Sequence, residues 1–201
     1  ITPGLYDKSD GFWAARVWWM LRSVGVSARI LNGGYTAWQD AGKPIDNTPS
    51  PPSVPGDKKT YAVSDFILHP HLWCDLQRVS RITSGVEDGT LVCALSSGMF
   101  NGTVPTRYSR RGHIPGSLNL PARHLLDDNG LYKPLEELSE ILSPLITQPS
   151  NPLILYCGGG ISAAVLAVAL TLIGQDTPCL YDGSLQEWSA DPALPLISTI
   201  P

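Results

Sequence analysis

Hydrophobic residues in this chain fall into short unbroken runs and longer apolar stretches, which glycine-containing loops separate. Short apolar runs predict buried strands, and the longer stretches predict helices. The predicted strands are Arg29–Asn32, Tyr61–Ile67, Thr90–Ala94, Leu153–Tyr156 and Cys179–Tyr181. The predicted helices are Phe12–Val24, Tyr35–Ala41, Pro70–Val79, Pro134–Leu142 and Ser162–Ile173. Apolar strands that alternate with helices indicate the α/β class, with a parallel sheet covered by helices.

The chain repeats itself at a constant offset of 150 residues, which aligns 6–38 with 156–188. Both segments read as strand, glycine loop, apolar helix, strand and then a tryptophan, which favours an internal duplication. The aligned identical pairs are Tyr6 with Tyr156, Ala14 with Ala164, Gly33 with Gly183 and Trp38 with Trp188. We therefore predict a partial first copy at 1–46, a proline-rich linker at 47–59 and a complete second copy at 60–201. The sheet partners of the first copy would come from an upstream segment or from the second copy.

Composition and charge exclude several classes of protein. The 201 residues are 43% hydrophobic and 16% charged, with a net charge of -4, unlike a disordered chain or one that coats nucleic acid. The longest apolar stretch, Ile161–Gly174, is too short to cross a bilayer. We therefore expect neither a nucleic-acid nor a membrane partner.

The four cysteines contain no C-x-x-C pair, so neither a zinc motif nor a thioredoxin-like motif is expected. We expect no metal and no cofactor. Cys74, Cys93 and Cys179 are interpreted as packing residues of a protein from a reducing compartment. Cytoplasmic localisation is the expectation, and organelle targeting stays open because the chain begins at Ile1 without a methionine.

Cys157 stands apart because it follows an apolar strand and precedes three glycines and a helix. Glycines let backbone N–H groups turn toward the sulfur, and a helix start adds to their effect on a negative charge. A cysteine in such a loop is a candidate thiolate nucleophile. Asp7 takes its place in the first copy, which indicates one working and one supporting copy.

Two other kinds of cysteine chemistry fit the sequence less well. A Cys-x₅-Arg phosphatase needs an arginine where this chain has Ala163. Cysteine–histidine hydrolysis needs a neighbouring base, and no spacing assigns a histidine to Cys157. His113 is interpreted as structural. The densest basic cluster is Arg107, Arg110 and Arg111, of which Arg107 is the best candidate for binding an anionic substrate.

Four segments together resemble tandem-domain rhodaneses, most closely the thiosulfate/3-mercaptopyruvate sulfurtransferases. The loop Cys-Gly-Gly-Gly-Ile-Ser-Ala, beginning at Cys157, is similar to the mercaptopyruvate-type loop Cys-Gly-Ser-Gly-Val-Thr-Ala. The other segments are Arg111–Asn119, Tyr181–Trp188 and Ala14–Arg22 with the later Asn32-Gly-Gly. The resemblance implies a three-layer fold, with a parallel sheet flanked by helices, a complete second domain and a partial, inactive first domain.

The same resemblance implies a sulfurtransferase that carries a sulfane sulfur as a persulfide. Cys157 would be the nucleophile, and the sulfur would move from 3-mercaptopyruvate or thiosulfate to cyanide, a thiol or a thioredoxin-like acceptor. The uncharged loop favours mercaptopyruvate. The residues expected to bind the substrate are Gly158, Gly159, Gly160, Ile161, Ser162 and Arg107.

The chain departs from the family pattern at four positions. The acid and the arginine of the family's Asp-x-Arg are replaced by Cys93 and Leu95, a second arginine is replaced by Met99, and a serine of a proposed proton relay is replaced by Gly159. These losses keep open an alternative, a degenerate rhodanese-like module that binds partners with little or no turnover. A single-turnover persulfide relay would need Cys157 and its loop alone.

Overall fold

The computed structural model describes residues 2–8, 10–48, 62–146, 151–175 and 178–199. The strands are β1 Gly4–Leu5, β2 Arg29–Ile30, β3 Trp73–Cys74, β4 Thr90–Cys93, β5 Leu118–Asn119, β6 Leu153–Tyr156 and β7 Cys179–Tyr181. The α-helices are α1 Phe12–Ser23, α2 Gly34–Asp40, α3 Leu76–Thr83, α4 Ser97–Phe100, α5 Leu135–Ile146, α6 Ile161–Leu172 and α7 Ser184–Trp188. Short 3₁₀ helices lie at Val63–Asp65, Pro70–Leu72 and Ala122–Leu125.

The main sheet has five parallel strands in the order β3-β7-β6-β4-β5. Its central strand β6 is apolar throughout and pairs with β4 on one side and β7 on the other. A strand covered on both faces tolerates no polar alternation, which explains its sequence Leu-Ile-Leu-Tyr. The predicted α/β class, with a parallel sheet flanked by helices, is confirmed.

The strand order reverses between β4 and β6. After β4 the chain returns to β5 on one side, and after β6 it returns to β7 on the other. Open parallel sheets bind ligands outside the carboxyl ends of their strands at such a point. Cys157 follows the last residue of β6 and therefore lies there.

Helix α6 is apolar around its whole circumference, and Ala163–Leu170 is buried without interruption. A helix of this composition must be covered on all sides. Helix α1 of the first copy packs against it. Arg22 on α1 donates from Nη1 to the hydroxyl of Thr171 at 3.0 Å. The first copy is thus packed directly onto the helix that begins at the cysteine loop.

The two copies share one strand register. In the first copy Gly4 pairs with Arg29, and in the second Ile154 pairs with Cys179, each residue displaced by 150 positions. This identity of register supports the duplication that the sequence indicates. The boundaries at 1–46 and 60–201 stay a prediction, and most of the predicted linker 47–59 lies outside the described residues.

Two predicted elements are wrong. The strand at Tyr61–Ile67 is replaced by the 3₁₀ helix at Val63–Asp65, with Tyr61 outside the described residues. The helix at Pro70–Val79 is divided into a 3₁₀ turn, the two-residue strand β3 and the start of α3. Asp75 caps α3 by accepting from the N–H of Arg78 at 2.8 Å, so the helix begins there.

Candidate active site at the Cys157 loop

Cys157 is buried at the carboxyl end of β6, with 2% of its surface exposed. The four residues 157–160 form the loop that connects β6 to α6. Gly160 ends the loop in the left-handed region, at φ 77°, which a side chain would strain. Helix α6 therefore starts immediately beside the cysteine.

The loop is held by its carbonyl oxygens. The carbonyl of Cys157 accepts from Leu185 N at 3.0 Å, and that of Gly158 accepts from Gln186 N at 2.9 Å. No protein atom in the described ranges accepts from the N–H groups of Gly158, Gly159 or Gly160. These N–H groups are available to an anion beside the Cys157 sulfur.

Ser184 holds the cysteine itself. Its hydroxyl donates to the carbonyl of Tyr181 at 2.9 Å and accepts from the Cys157 N–H at 3.1 Å. Ser184 has φ 50°, the one positive φ among the described non-glycine residues, and it is completely buried. A left-handed residue kept at such a place indicates a geometry that the site requires. The sequence motif contained Ser184, but sequence reasoning gave it no role.

We expect Ser184→Ala to lower the rate of sulfur uptake strongly and the free energy of unfolding only moderately. The change leaves the buried Cys157 N–H without an acceptor, which costs about 1–3 kcal/mol. A displaced loop should also lower the rate of sulfur uptake by about tenfold or more. Unfolding in urea and a sulfur-uptake assay measure the two effects. Ser189→Ala is the matched control, since the Ser189 hydroxyl is buried without a hydrogen-bond partner in the described structure. Equal uptake by Ser184→Ala and the wild type would show that this contact does not position the cysteine.

A depression of about 310 Å³ lies beside the loop, lined by Arg107, Tyr108, Ser109 and Gln186. The Tyr108 hydroxyl covers Gly158 so closely that a Cβ there would lie 1.5 Å from it. Gln186 approaches Gly159, where a Cβ would lie 3.5 Å from its Oε1. Burial raises the pKa of Tyr108, and the nearby Cys157 raises it further, so the phenol is neutral over the physiological range. A small anion in this depression would meet the guanidinium of Arg107 and the phenol of Tyr108.

Of the sequence-predicted site residues, Arg107 lines the depression, and the others lie in the loop beside it and in the first turn of α6. Cys157, Gly158 and Gly160 are buried, whereas Gly159, Ile161 and Ser162 are partly exposed. Arg107, which directly precedes Tyr108 in the sequence, is exposed and lines the depression. Their roles in binding and catalysis stay predictions.

In the first copy, the loop between β1 and α1 contains a carboxylate, that of Asp7, at the position of the cysteine. Asp7, the counterpart of Cys157, accepts from the N–H groups of Gly11, Trp13 and Ala14 at 3.0–3.1 Å. The donors to Asp7 are therefore the N-cap residue Gly11 and two residues in the first turn of α1. In the second copy a thiol takes the place of this carboxylate, and the N–H groups of the glycine loop before α6 stay open beside it.

Arg110 and His113 do not line the depression, and their side chains bond to backbone carbonyls elsewhere in the fold. His113 Nδ1 donates to the carbonyl of Phe100 at 2.8 Å, and the two rings stack at 3.6 Å, so its predicted structural role is confirmed. Arg110 is also structural, which the sequence did not indicate. Its guanidinium donates to the carbonyl of the last residue of α7 and to three carbonyls in the segment after the helix. These are the carbonyls of Trp188, Ser189, Asp191 and Leu194.

Comparison with known proteins identifies the fold and its relatives. Residues 101–191 match the model of the rhodanese-like domain. SseB of Mycobacterium tuberculosis, which carries the name of a thiosulfate sulfurtransferase, is 34% identical over 195 residues, covering 96% of this chain and 65% of the relative. The chain therefore contains a match to the rhodanese-like domain and is similar along nearly its whole length to a protein named as a thiosulfate sulfurtransferase. Thiosulfate/3-mercaptopyruvate sulfurtransferase 1 of Arabidopsis thaliana is 32% identical over 216 residues, covering 96% of this chain and 55% of the relative.

A solved structure shows the same architecture over the whole chain. The anaerobic ergothioneine biosynthesis enzyme from Chlorobium limicola superposes with a TM-score of 0.82 at 25% identity, covering 100% of this chain and 52% of the other. The chain thus spans between about half and two thirds of the length of the proteins it matches.

At three positions that depart from the rhodanese pattern, the side chain lies in an apolar environment. Leu95 is 8% exposed, and Met99 packs against the core. Cys93, at the end of β4, is fully buried, which raises the pKa of its thiol to about 12. Among the described residues, the guanidinium of Arg107 lines the depression, and that of Arg16 approaches Gly160.

Within the described ranges, no cluster of three or more histidine, cysteine, aspartate or glutamate side chains is arranged to hold a metal ion. None of the helices in the described part of the chain combines the length and hydropathy that a membrane crossing requires.

Proposed function

We propose that this chain is a sulfurtransferase that carries a sulfane sulfur as a persulfide on Cys157. The observation that carries the proposal is the cradle of open N–H groups of Gly158, Gly159 and Gly160 beside Cys157. Backbone N–H groups of this kind suit a thiolate or persulfide anion. In the first copy, N–H groups at the start of α1 bind the Asp7 carboxylate, which shows that this junction of loop and helix accepts an anion there. The names of the relatives agree with this chemistry.

The reaction has two sulfur-transfer steps. The Cys157 thiolate attacks the sulfur of 3-mercaptopyruvate, an S–S bond forms, and the C–S bond breaks with its electron pair moving to carbon. The resulting enolate takes up a proton to give pyruvate. An acceptor thiolate then attacks the outer sulfur, which breaks the S–S bond, returns Cys157 to its thiolate and leaves a persulfide on the acceptor. With thiosulfate as the donor, sulfite leaves in the first step.

The donor is a small anion that binds in the depression beside the loop. Arg107 offers a guanidinium to a carboxylate or sulfonate group, and charge-assisted pairs of this kind are the strong ones. We favour 3-mercaptopyruvate over thiosulfate, because Gly158 and Gly159 bring no positive charge to the loop. The acceptor is a low-molecular-weight thiol or a thioredoxin-like protein.

Intact-mass spectrometry of the chain after incubation with each donor tests the proposal. We expect a gain of one sulfur, about 32 Da, on incubation with 3-mercaptopyruvate. The adduct should map to the peptide that contains Cys157 and disappear on addition of a thiol. Uptake from thiosulfate instead would support the sulfurtransferase function and overturn the donor preference.

The alternative function is a rhodanese-like module that binds sulfur compounds or partners without turnover. The apolar side chains of Leu95 and Met99 favour it, since the family's arginines are absent at these positions. A chain that takes up no sulfur from either donor, while Cys157 still reacts with iodoacetamide, would establish this alternative and overturn the proposed activity.

A further inference from the structure

Arg16 lies on α1 in the first copy, yet its guanidinium contacts the second copy beside the cysteine loop. It forms an ion pair with Asp182 and lies over the ring of Trp73 at 5.1 Å. Its Nη1 would be 2.7 Å from a Cβ placed on Gly160. The side chain is 15% exposed.

One part of this guanidinium is left without a partner. Nη1 is buried and has no hydrogen-bond partner among the described residues. Leaving a buried charged donor unpaired is costly, and a fold retains such an atom where its charge has a use. The atom lies at the Gly160 end of the cradle, where α6 begins and where an anion on the Cys157 sulfur would be held.

We infer that Arg16 is a positioning residue of the Cys157 loop, an inference that rests on the proposed sulfur transfer at that loop. Through Asp182 it fixes the segment that leads from β7 into α7, and the N–H groups of α7 hold the loop carbonyls. Through Nη1 it places a permanent positive charge beside Gly160. The first copy thereby contributes to the site of the second, although its own loop is closed by Asp7.

The same contact explains why position 160 has no side chain. A Cβ there would lie 3.1 Å from Oδ1 of Asp182 and closer still to Arg16. The side chains of Arg16 and Asp182 therefore both occupy space that a side chain at position 160 would need. The site needs glycine at this position for its φ and for the approach of Arg16.

Helix α1 offers a matched control in Arg22. This residue also stacks on tryptophans, at 5.4 Å from Trp18 and 5.6 Å from Trp19, and it also bonds to the second copy through Thr171. Thr171 lies near the far end of α6, away from the loop. Loss of Arg22 therefore weakens the contact between the copies without touching the loop.

The test compares Arg16→Gln, Arg16→Lys, Asp182→Asn, the Arg16→Gln/Asp182→Asn double variant and Arg22→Gln. Two rates are measured: sulfur uptake from 3-mercaptopyruvate over a range of concentrations, and alkylation of Cys157 by neutral iodoacetamide and anionic iodoacetate. Thermal unfolding midpoints show that each variant is folded at the assay temperature.

We expect Arg16→Gln to lower the maximal rate of sulfur uptake about tenfold with little change in KM. Its alkylation by iodoacetate should fall more than its alkylation by iodoacetamide, because the anionic reagent also loses the attraction of the charge. Arg16→Lys should restore the ratio of the two alkylation rates. The double variant should be no slower than the slower single variant, because Arg16 acts through Asp182.

Wild-type rates and an unchanged alkylation ratio in Arg16→Gln would overturn the inference, as would an equal loss in Arg22→Gln. The alkylation rates need no sulfur donor. If the wild type takes up no sulfur from either donor, the proposed function fails, and the alkylation ratio still decides the role of Arg16.

Discussion

Replacement of Cys157 by serine is expected to abolish sulfur uptake and to lower turnover by about a thousandfold or more. Serine is nearly isosteric, and its hydroxyl can remain beside the Ser184 contact, which uses the backbone N–H of residue 157. A hydroxyl is a poor nucleophile at neutral pH and forms no stable adduct with a sulfane sulfur. The intact mass after incubation with each donor and the rate of pyruvate release measure the loss.

Cys74→Ala is the control for this prediction, because Cys74 is also a buried free thiol but lies on β3, at the edge of the main sheet. It should keep the sulfur uptake of the wild type despite some loss of stability. If Cys157→Ser still gained one sulfur and Cys74→Ala did not, the persulfide would belong to another cysteine, and the proposed role of Cys157 would be wrong.

The sequence predicts those parts of the site whose structure depends on residues close together in the chain. The run Leu153–Tyr156 predicts a strand, the apolar stretch after it predicts a helix, and three glycines between them predict an open loop. Each of these properties lies within about twenty consecutive residues. The candidate nucleophile could therefore be singled out without the fold.

The parts that sequence reasoning missed depend on contacts between distant segments. Arg16 meets Asp182 across 166 residues, and Arg110 meets the end of α7 across 78–84 residues. The two-residue strand β3 exists because β7 provides its hydrogen-bond partners, and it is too short to show a period of its own. The left-handed conformation of Ser184 is likewise set by what surrounds it. A residue type and a spacing carry none of this information.

The second large expected effect concerns stability and contrasts two glycines of one motif, Gly112 and Gly116. Both have positive φ, at 125° and 77°. A Cβ on Gly112 would lie 2.0 Å from the carbonyl oxygen of Ile197, whereas one on Gly116 would have no heavy atom within 4 Å. The obstacle at Gly112 is backbone, and it is the same carbonyl that accepts from the N–H of His113 at 2.9 Å.

Gly112→Ala is therefore expected to lower the free energy of unfolding by at least about 3 kcal/mol, since backbone strain and the loss of the His113–Ile197 pairing act together. Gly116→Ala should cost about 1–2 kcal/mol, the cost of a left-handed alanine alone. Urea unfolding of the two variants and the wild type measures both values. Similar losses in the two variants would show that conformation and not the Ile197 carbonyl excludes a side chain at Gly112. Because His113 joins the C-terminal segment to Phe100, we also expect Gly112→Ala to expose that segment to proteolysis, while Gly116→Ala leaves it as resistant as the wild type.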